Sequence, residues 1–135
     1  METFKKPDDA SSEASKSSIP GLSGKGDLSN KALLSAIDPR LLHEVGIGFR
    51  KGAIKHGLNN FRKMDLTAAQ GVWDSLNRHV NDYARGISID PETGVSNLAL
   101  IVTNTSMLAR LAYLHGHDKV IEAIYCGDIR EATHE

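Results

Sequence analysis

The chain has a single cysteine, Cys126, and this scarcity excludes two kinds of stabilising site. An intrachain disulfide needs two thiols, and a cysteine-based zinc site needs more than one. The sequence also lacks an apolar run of the roughly 18 to 20 residues that a membrane-spanning helix requires. Its first 30 residues contain no apolar segment that would serve as a signal peptide. We therefore expect a cytoplasmic protein with no membrane partner.

Neither sign of charge dominates the composition. The chain has 16 Lys and Arg against 17 Asp and Glu, which gives a formal net charge of −1. Such a balance provides no general attraction to nucleic acid, so we expect no direct nucleic-acid binding. Its 135 residues suffice for one domain and are too few for two domains with separate cores.

Residues 1–30 are rich in serine and contain almost no large apolar side chains. A segment of this composition cannot offset the entropy cost of ordering, which predicts a flexible tail. Residues 31–127 form the predicted helical domain, and residues 128–135 are expected to fray.

The spacing of apolar residues predicts an all-α fold, a small bundle of three long helices plus a short C-terminal helix. Caps and glycine stops place these helices from Asp38-Pro39 to Gly57, from Asp65 or Thr67 to about Arg85, from Ser96 to His115, and from Asp118 to Tyr125 before Gly127. The third helix is apolar nearly all round, so we expect it at the centre of the bundle, where it would also join copies of the chain into a homo-oligomer through residues 96–115.

The predicted buried faces of the first two helices follow from the same spacing. They comprise Leu41, Leu42, Val45, Phe49 and Ile54 on the first helix, and Val72, Trp73, Leu76, Val80 and Tyr83 on the second. The first helix also contains Gly46, Gly48 and Gly52, each of which weakens it by about 1 kcal/mol relative to alanine. These glycines are therefore expected to serve close approach by a second helix or by a ligand.

Polar residues that could take part in catalysis or ligand binding cluster around the loop between the second and third helices. His79 falls on the buried face of its helix, either as a hydrogen-bonded core residue or as a ligand. Its neighbour Arg78 can pair with Asp82 one turn on. Asp90 and Glu92 either complement the positive end of the next helix or bind Mg²⁺ or Mn²⁺.

Two further groups suit a nucleotide. Asn97 and Asn104 lie two turns apart on one face of an apolar helix, where their amides must find partners in the protein or in a base or ribose. A basic run with interspersed asparagines is either a solvated surface or a rim for a polyphosphate. It comprises Arg50, Lys51, Lys55, Asn59, Asn60, Arg62 and Lys63, and Glu44 on the same helix would add a carboxylate.

Four motifs in residues 41–114 resemble a phage-encoded family, the N-terminal domain of dATP/dGTP diphosphohydrolase. They are Leu42-His43-Glu44-Val45, the segment from Gly52 to Arg62, Arg78-His79, and Asp90-Pro91-Glu92-Thr93-Gly94. The resemblance implies a helical domain that acts on purine deoxynucleoside triphosphates and releases pyrophosphate with the help of a metal ion. It also implies a bacterial cytoplasm as the place of action.

The chain departs from the family pattern on the third helix. The family usually has a histidine pair, H-L-x-H, where this chain has Asn97-Leu98-Ala99-Leu100. In the family an acidic residue often follows the glycine after the Arg-His helix, but here Gly86 is followed by Ile87. A leucine can neither hold a metal nor move a proton. Reduced catalysis, another metal geometry and nucleotide binding without hydrolysis all remain open.

Three functions follow from these observations. The first is hydrolysis of a deoxynucleoside triphosphate, with Glu44, His79, Asp90 and Glu92 as catalytic residues, and with His79, Asp90 and Glu92 holding Mg²⁺ or Mn²⁺. Nucleotide contacts are predicted at Lys55, Asn59, Asn60, Arg62, Arg78, Asn97 and Asn104. The second is capture of a nucleotide by an accessory or anti-defence protein, and the third is a helical protein–protein interaction module.

Overall fold

The computed structural model describes the backbone of residues 30–134 and the side chains of residues 30–125. Residues 38–134 form one compact unit. The described residues 30–37 belong to a second unit, which holds a short 3-10 turn at Leu34–Ala36. The predicted flexible tail, apart from its last residue, lies outside the described residues. Within the described range, no helix is long and apolar enough to cross a membrane.

Five α-helices make up most of the described chain: α1 (Pro39–His56), α2 (Asn60–Lys63), α3 (Ala69–Ala84), α4 (Asn97–His115) and α5 (His117–His134). A 3-10 turn, Leu66–Ala68, leads into α3. Between residues 30 and 134 the only β-type pairing is one isolated bridge, between Ile89 and Ser96. The all-α prediction is confirmed.

Local signals set most helix ends where the sequence predicts them. The Asp38 carboxylate accepts the Arg40 N–H at 2.9 Å, and Pro39 occupies the first turn, where its missing N–H costs nothing. Gly57 ends α1 with a φ of +101°, and Gly86 follows α3 with a φ of +89°. Both angles favour glycine because a Cβ would be strained there.

Two helices differ from the prediction. The polar connection after α1 contains the short helix α2, which follows Asn59 in the left-handed conformation, with a φ of +61°. The last helix does not stop at Gly127 but continues to His134. An interior glycine lowers helix stability by about 1 kcal/mol without removing a hydrogen-bond donor, so it need not end a helix. The fraying of residues 128–135 stays a prediction.

The core has two parts, and α4 contributes to both. The first lies where the second half of α4 meets α3 and α5, around Ala69, Leu111, Ala112, Val120 and Ile124. The second lies where the first half of α4 meets α1, around Val45, Val95, Ala99 and Leu100. Helix α4 therefore packs against α1, α3 and α5, as its predicted central place requires.

On both α1 and α3, some residues that are predicted to be buried are exposed. Leu42 and Ile54 on α1 are 65% and 73% exposed, because α1 packs mainly against α4 and buries a narrow stripe. Val80 and Tyr83 on α3 are also exposed, at 43% and 44%, and the polar His79 takes the buried place beside them. Periodicity predicts an apolar side of a helix, but the number of neighbouring helices decides how wide its buried stripe becomes.

The glycines of α1 have different surroundings. A Cβ on Gly48 would lie 2.6 Å from the Thr103 hydroxyl oxygen, so α1 and α4 approach closely at this point. The same hydroxyl donates to the backbone oxygen of Ala99 at 2.9 Å, with Val45 O a further acceptor at 3.3 Å. No heavy atom lies within 4 Å of a Cβ built at Gly46 or Gly52. The predicted close approach by a second helix is therefore confirmed at Gly48.

Candidate functional site

The loop between α3 and α4 folds back on itself and holds its polar residues in place. Asp90 N–H donates to Val95 O and Asn97 N–H donates to Ser88 O, both at 2.9 Å. Gly94, with a φ of +73°, makes the tight turn and donates its N–H to Asp90 O at 2.8 Å. These three backbone hydrogen bonds close the loop into a short hairpin-like turn. The turn fixes the direction of the side chains that it presents.

The Asp90 side chain is buried, with only 7% of its surface exposed. Its Oδ2 accepts the Thr93 N–H at 3.1 Å and the Thr93 hydroxyl at 2.7 Å. Every hydrogen bond to this carboxylate within the described residues goes to Oδ2. The other oxygen, Oδ1, is therefore left for another ligand.

His79 is buried on the side of α3 that faces the start of α4. Its Nδ1 lies 2.9 Å from Oδ1 of Asn97, and the Asn97 Nδ2 donates to Ile87 O at 2.9 Å. Asn97 is completely buried, with 0% of its surface exposed. The histidine is thus held through one ring nitrogen, and the asparagine links α3, the loop and α4.

Three potential metal ligands converge beside this pair. One ligand atom each from His79, Asp82 and Asp90 lies within 4.8 Å of the other two. Of these three residues, the sequence predicts His79 and Asp90 as metal ligands and Asp82 only as a partner for Arg78. The signal that would have found Asp82 is its spacing of three residues from His79, which puts both side chains on one face of a helix.

Glu92 lies elsewhere, although it is only two residues from Asp90. Its Oε1 accepts from the Lys55 ammonium at 3.2 Å, and both side chains are about two-thirds exposed. Glu92 is not a member of the cluster of His79, Asp82 and Asp90, and its metal role stays a prediction. The turn around Pro91 separates the Asp90 and Glu92 carboxylates. The ion pair between Glu92 and Lys55 joins the loop to α1.

A cavity of about 450 Å³ lies between α1, α3, the loop and α4. Its volume is within the usual range of small-molecule sites, about 300 to 1,000 Å³. His79, Asp90 and Glu92 line it together with the cationic side chains of Lys51, Lys55 and Arg78. With His56 also in its lining, one cavity therefore contains carboxylates, two imidazoles and three positive charges.

The rest of the lining is largely apolar and suits a flat ring. Phe49 and Phe61 form a tilted pair with ring centroids 5.0 Å apart. They line the cavity with Met64, Val72, Leu100 and Met107. Asn104 also faces it, with its Nδ2 donating to Leu100 O at 2.9 Å. An aromatic base would find apolar contact and one amide on this side.

The predicted nucleotide contacts divide into two groups. Lys55, Asn60, Arg78 and Asn104 line the cavity. Asn59, Arg62 and Asn97 are absent from its lining, as is Glu44, which is predicted as a catalytic residue. Arg62 instead lies over the Phe61 ring, 5.5 Å from its centroid. The Asn97 side chain is buried and forms a hydrogen bond with His79. The placement of Asn97 therefore does not support a direct nucleotide contact.

The predicted ion pair between Arg78 and Asp82 is replaced by two local contacts. Arg78 donates to the Ser75 hydroxyl at 3.2 Å, and Asp82 pairs with Arg85 at 3.5 Å. Both contacts span three residues of the same helix or its end. Arg78 therefore faces the cavity, and the Asp82 carboxylate stays within reach of His79.

Fold and site together define a small helical protein whose cavity suits an anionic ligand with a flat apolar part. The chain matches a family model over residues 23–119, more than half of its length, and the model is described as dATP/dGTP diphosphohydrolase, N-terminal. The chain belongs to this family, and the resemblance of residues 41–114 is confirmed. No curated protein and no solved structure matches it.

Proposed function

We propose that the protein hydrolyses purine deoxynucleoside triphosphates to the monophosphate and pyrophosphate, with the help of a divalent metal ion. The observation that supports this most is the composition of the cavity between α1, α3, the loop and α4. Potential metal ligands and three cationic side chains line the same space as two aromatic rings. A metal–triphosphate and a base require these features together.

The donor set fits a divalent ion. Two ligand atoms bound to one ion at about 2.2 Å lie no more than about 4.4 Å apart, so the separations of up to 4.8 Å in the cluster need only a small closure. His79, Asp82 and Asp90 would hold the ion, one nitrogen and at least two oxygens. Carboxylates suit Mg²⁺ and Mn²⁺, and the imidazole favours Mn²⁺ of the two. When bound, the ion would lower the pKa of a coordinated water and offset phosphate charge.

The protein's own residues would carry the remaining steps. Lys51, Lys55 and Arg78 neutralise the β and γ phosphates, and this charge neutralisation favours pyrophosphate as the leaving group. Water adds to the α phosphorus, and the bond from that phosphorus to the bridging oxygen breaks. The proton of the water passes to Glu92, the carboxylate that lines the cavity without belonging to the metal cluster.

The direct test is incubation with each deoxynucleoside triphosphate in Mg²⁺ or Mn²⁺, with detection of monophosphate and pyrophosphate. Asp90→Asn should reduce turnover by orders of magnitude, whereas Asp74→Asn, on the exposed side of α3, should not. Absence of turnover with every nucleotide and both ions would overturn the proposal.

The second candidate is capture of a nucleotide without hydrolysis, as in an accessory or anti-defence protein. One observation favours it: Leu100, at a position where the family pattern usually has a histidine, lines the cavity and adds only apolar surface. Calorimetry should then show nucleotide binding that survives EDTA. Binding that disappears with the metal would favour the hydrolase instead.

We also propose that α4 joins copies of the chain. Its outer side exposes Leu98, Val102 and Leu114, and the small residues Thr105 and Ala109 lie in a shallow groove along the same helix. Small residues along an apolar side allow a second helix to approach closely. A second copy of the chain, presenting the same helix, would bury this surface symmetrically.

A further inference from the structure

The strongest unassigned feature is the buried side-chain amide of Asn97. Its two ends have different neighbours, the Ile87 carbonyl at 2.9 Å and the His79 ring nitrogen Nδ1 at 2.9 Å. Asn97 is the first residue of α4, and its backbone N–H is bound to Ser88 O. A fully buried polar side chain with both ends paired is in a fixed orientation.

This orientation can be derived from the hydrogen-bond types alone. A backbone carbonyl only accepts, so the amide must turn its NH₂ group to Ile87 and its oxygen to His79. The amide oxygen also only accepts, so the proton between it and His79 must belong to Nδ1. In the neutral imidazole the other nitrogen, Nε2, then has no proton and carries a lone pair.

We infer that Asn97 is a positioning residue that fixes His79 in the tautomer protonated at Nδ1, so that Nε2 is the ring nitrogen that binds the metal. The inference rests on the proposed function for the metal, but the tautomer is a property of the protein alone. A metal-binding histidine usually donates its second ring N–H to an oxygen, which sets the ring orientation. Here the oxygen belongs to a neutral amide that is itself fixed by a carbonyl.

The same geometry explains why the asparagine is buried without lining the cavity. Its contribution is made through His79, which separates it from the ligand space. Removal of the amide would leave the Ile87 carbonyl and the His79 ring without their partners. The ring would then be free to carry its proton on either nitrogen. Only the form protonated at Nδ1 leaves the lone pair of Nε2 free for a metal ion.

The test begins with the wild-type protein without metal. The ¹⁵N chemical shifts of the His79 ring, measured by long-range ¹H–¹⁵N correlation above the pH at which the ring is charged, distinguish a protonated from an unprotonated nitrogen. We expect the signature of a protonated Nδ1 and a bare Nε2. A protonated Nε2 would overturn the inference, whatever the protein does with nucleotides.

Addition of Mn²⁺ alone then separates this inference from the proposed function. Selective broadening of the His79 ring signals would support both. No broadening in a protein with the expected tautomer would overturn the metal-dependent function and leave the tautomer assignment standing.

Variants test the role of the amide itself. Asn97→Asp keeps an acceptor for Nδ1 and should keep the tautomer, whereas Asn97→Leu should give a mixture of tautomers and weaken Mn²⁺ binding by about 10- to 100-fold. Asn77→Asp on the outer side of α3 is the matched control. An unchanged tautomer and affinity in a folded Asn97→Leu protein would overturn the inference, and if that variant fails to fold, the wild-type measurement still decides.

Discussion

The Thr103 hydroxyl oxygen lies 2.6 Å from the place where a Cβ on Gly48 would be. This is closer than a Cβ atom approaches another heavy atom, so the hydroxyl or one of the two helices would have to shift. Because the hydroxyl already donates to Ala99 O, it has little freedom to move away. The contact therefore sets the distance between α1 and α4, the two helices that flank one side of the cavity.

Gly48→Ala should lower the free energy of unfolding by about 1 to 3 kcal/mol, the usual cost of overpacking a tight contact. Gly46→Ala is the matched control on the same helix, because no heavy atom lies within 4 Å of its added Cβ. It should raise stability by up to about 1 kcal/mol through helix propensity. Urea denaturation of both variants measures the difference, and equal effects would show that the contact does not constrain the helices.

The pH dependence of stability should contain a contribution from the N-cap of α1. Hydrogen bonds from the Arg40 side chain, and then from its backbone N–H, hold the pKa of Asp38 below its usual value of 3.8. A lowered pKa means that ionised Asp38 stabilises the fold fully above the unfolded-state pKa. This contribution is lost as the pH falls through the lower folded-state pKa.

Asp38→Asn keeps a good N-cap and removes the charge, so it isolates this contribution. The stability difference from wild type should be constant at neutral pH and should shrink below about pH 3.8. Arg40→Gln removes the side-chain partner and should raise the pKa of Asp38, which a carboxyl NMR titration can follow. An Asp38 pKa at or above 3.8 in the wild-type protein would contradict the expectation.

Mn²⁺ binding should depend on Asp82, the cluster member that the motifs did not indicate. Asp82→Asn removes one charged ligand and should weaken Mn²⁺ binding by about tenfold or more. Arg85→Gln removes only the surface partner of Asp82, and Asp74→Asn changes an exposed acid on the same helix, so both should bind Mn²⁺ as wild type does. Electron paramagnetic resonance titration of free Mn²⁺ makes the comparison, and wild-type affinity in Asp82→Asn would exclude it as a ligand.

Much of the helical fold could be predicted because its signals are local. Each signal acts within one turn of the chain. Asp38 caps the first helix and Pro39 fixes its own φ, whereas Gly57 and Gly86 adopt a positive φ. These effects do not depend on what the helix packs against. The helix ends they mark therefore appear where the sequence indicates them.

The cavity could be predicted only in part because it depends on tertiary structure. Asp90 and Glu92 look equivalent in sequence, yet the turn between them buries the first beside His79 and sends the second to Lys55. The requirement that a buried amide find partners was correct for Asn97. Which partners it would find depended on how α3 and α4 cross, and no spacing rule contains that information.

Self-association should depend on the outer side of α4. Val102→Glu places a charge in the exposed apolar stripe and should convert an oligomer into a monomer, as measured by size-exclusion chromatography with light scattering. Leu58→Glu, at a 78% exposed position in the connection after α1, is the matched control and should leave the mass unchanged. A wild-type protein that is monomeric at its highest soluble concentration would exclude this interface.

The ion pair between Lys55 and Glu92 gives the sharpest choice between two roles for Glu92. Both side chains are largely exposed, and an exposed pair of this kind contributes only about 0 to 1 kcal/mol. A triphosphate in the cavity would compete with Glu92 for the Lys55 ammonium. Glu92 would then act against phosphate binding in the empty cavity, which is opposite to the metal-ligand role that the sequence predicts.

Glu92→Gln should therefore leave Mn²⁺ affinity unchanged and should bind a non-hydrolysable triphosphate at least as tightly as wild type. Lys55→Gln should weaken the triphosphate by about tenfold, since it removes a charged contact to phosphate. Titration calorimetry with the metal alone and then with the analogue separates the two effects. If Glu92→Gln loses Mn²⁺ affinity while Lys55→Gln keeps it, Glu92 is a metal ligand after all, and the cluster must include the loop carboxylate that its ion pair now holds apart.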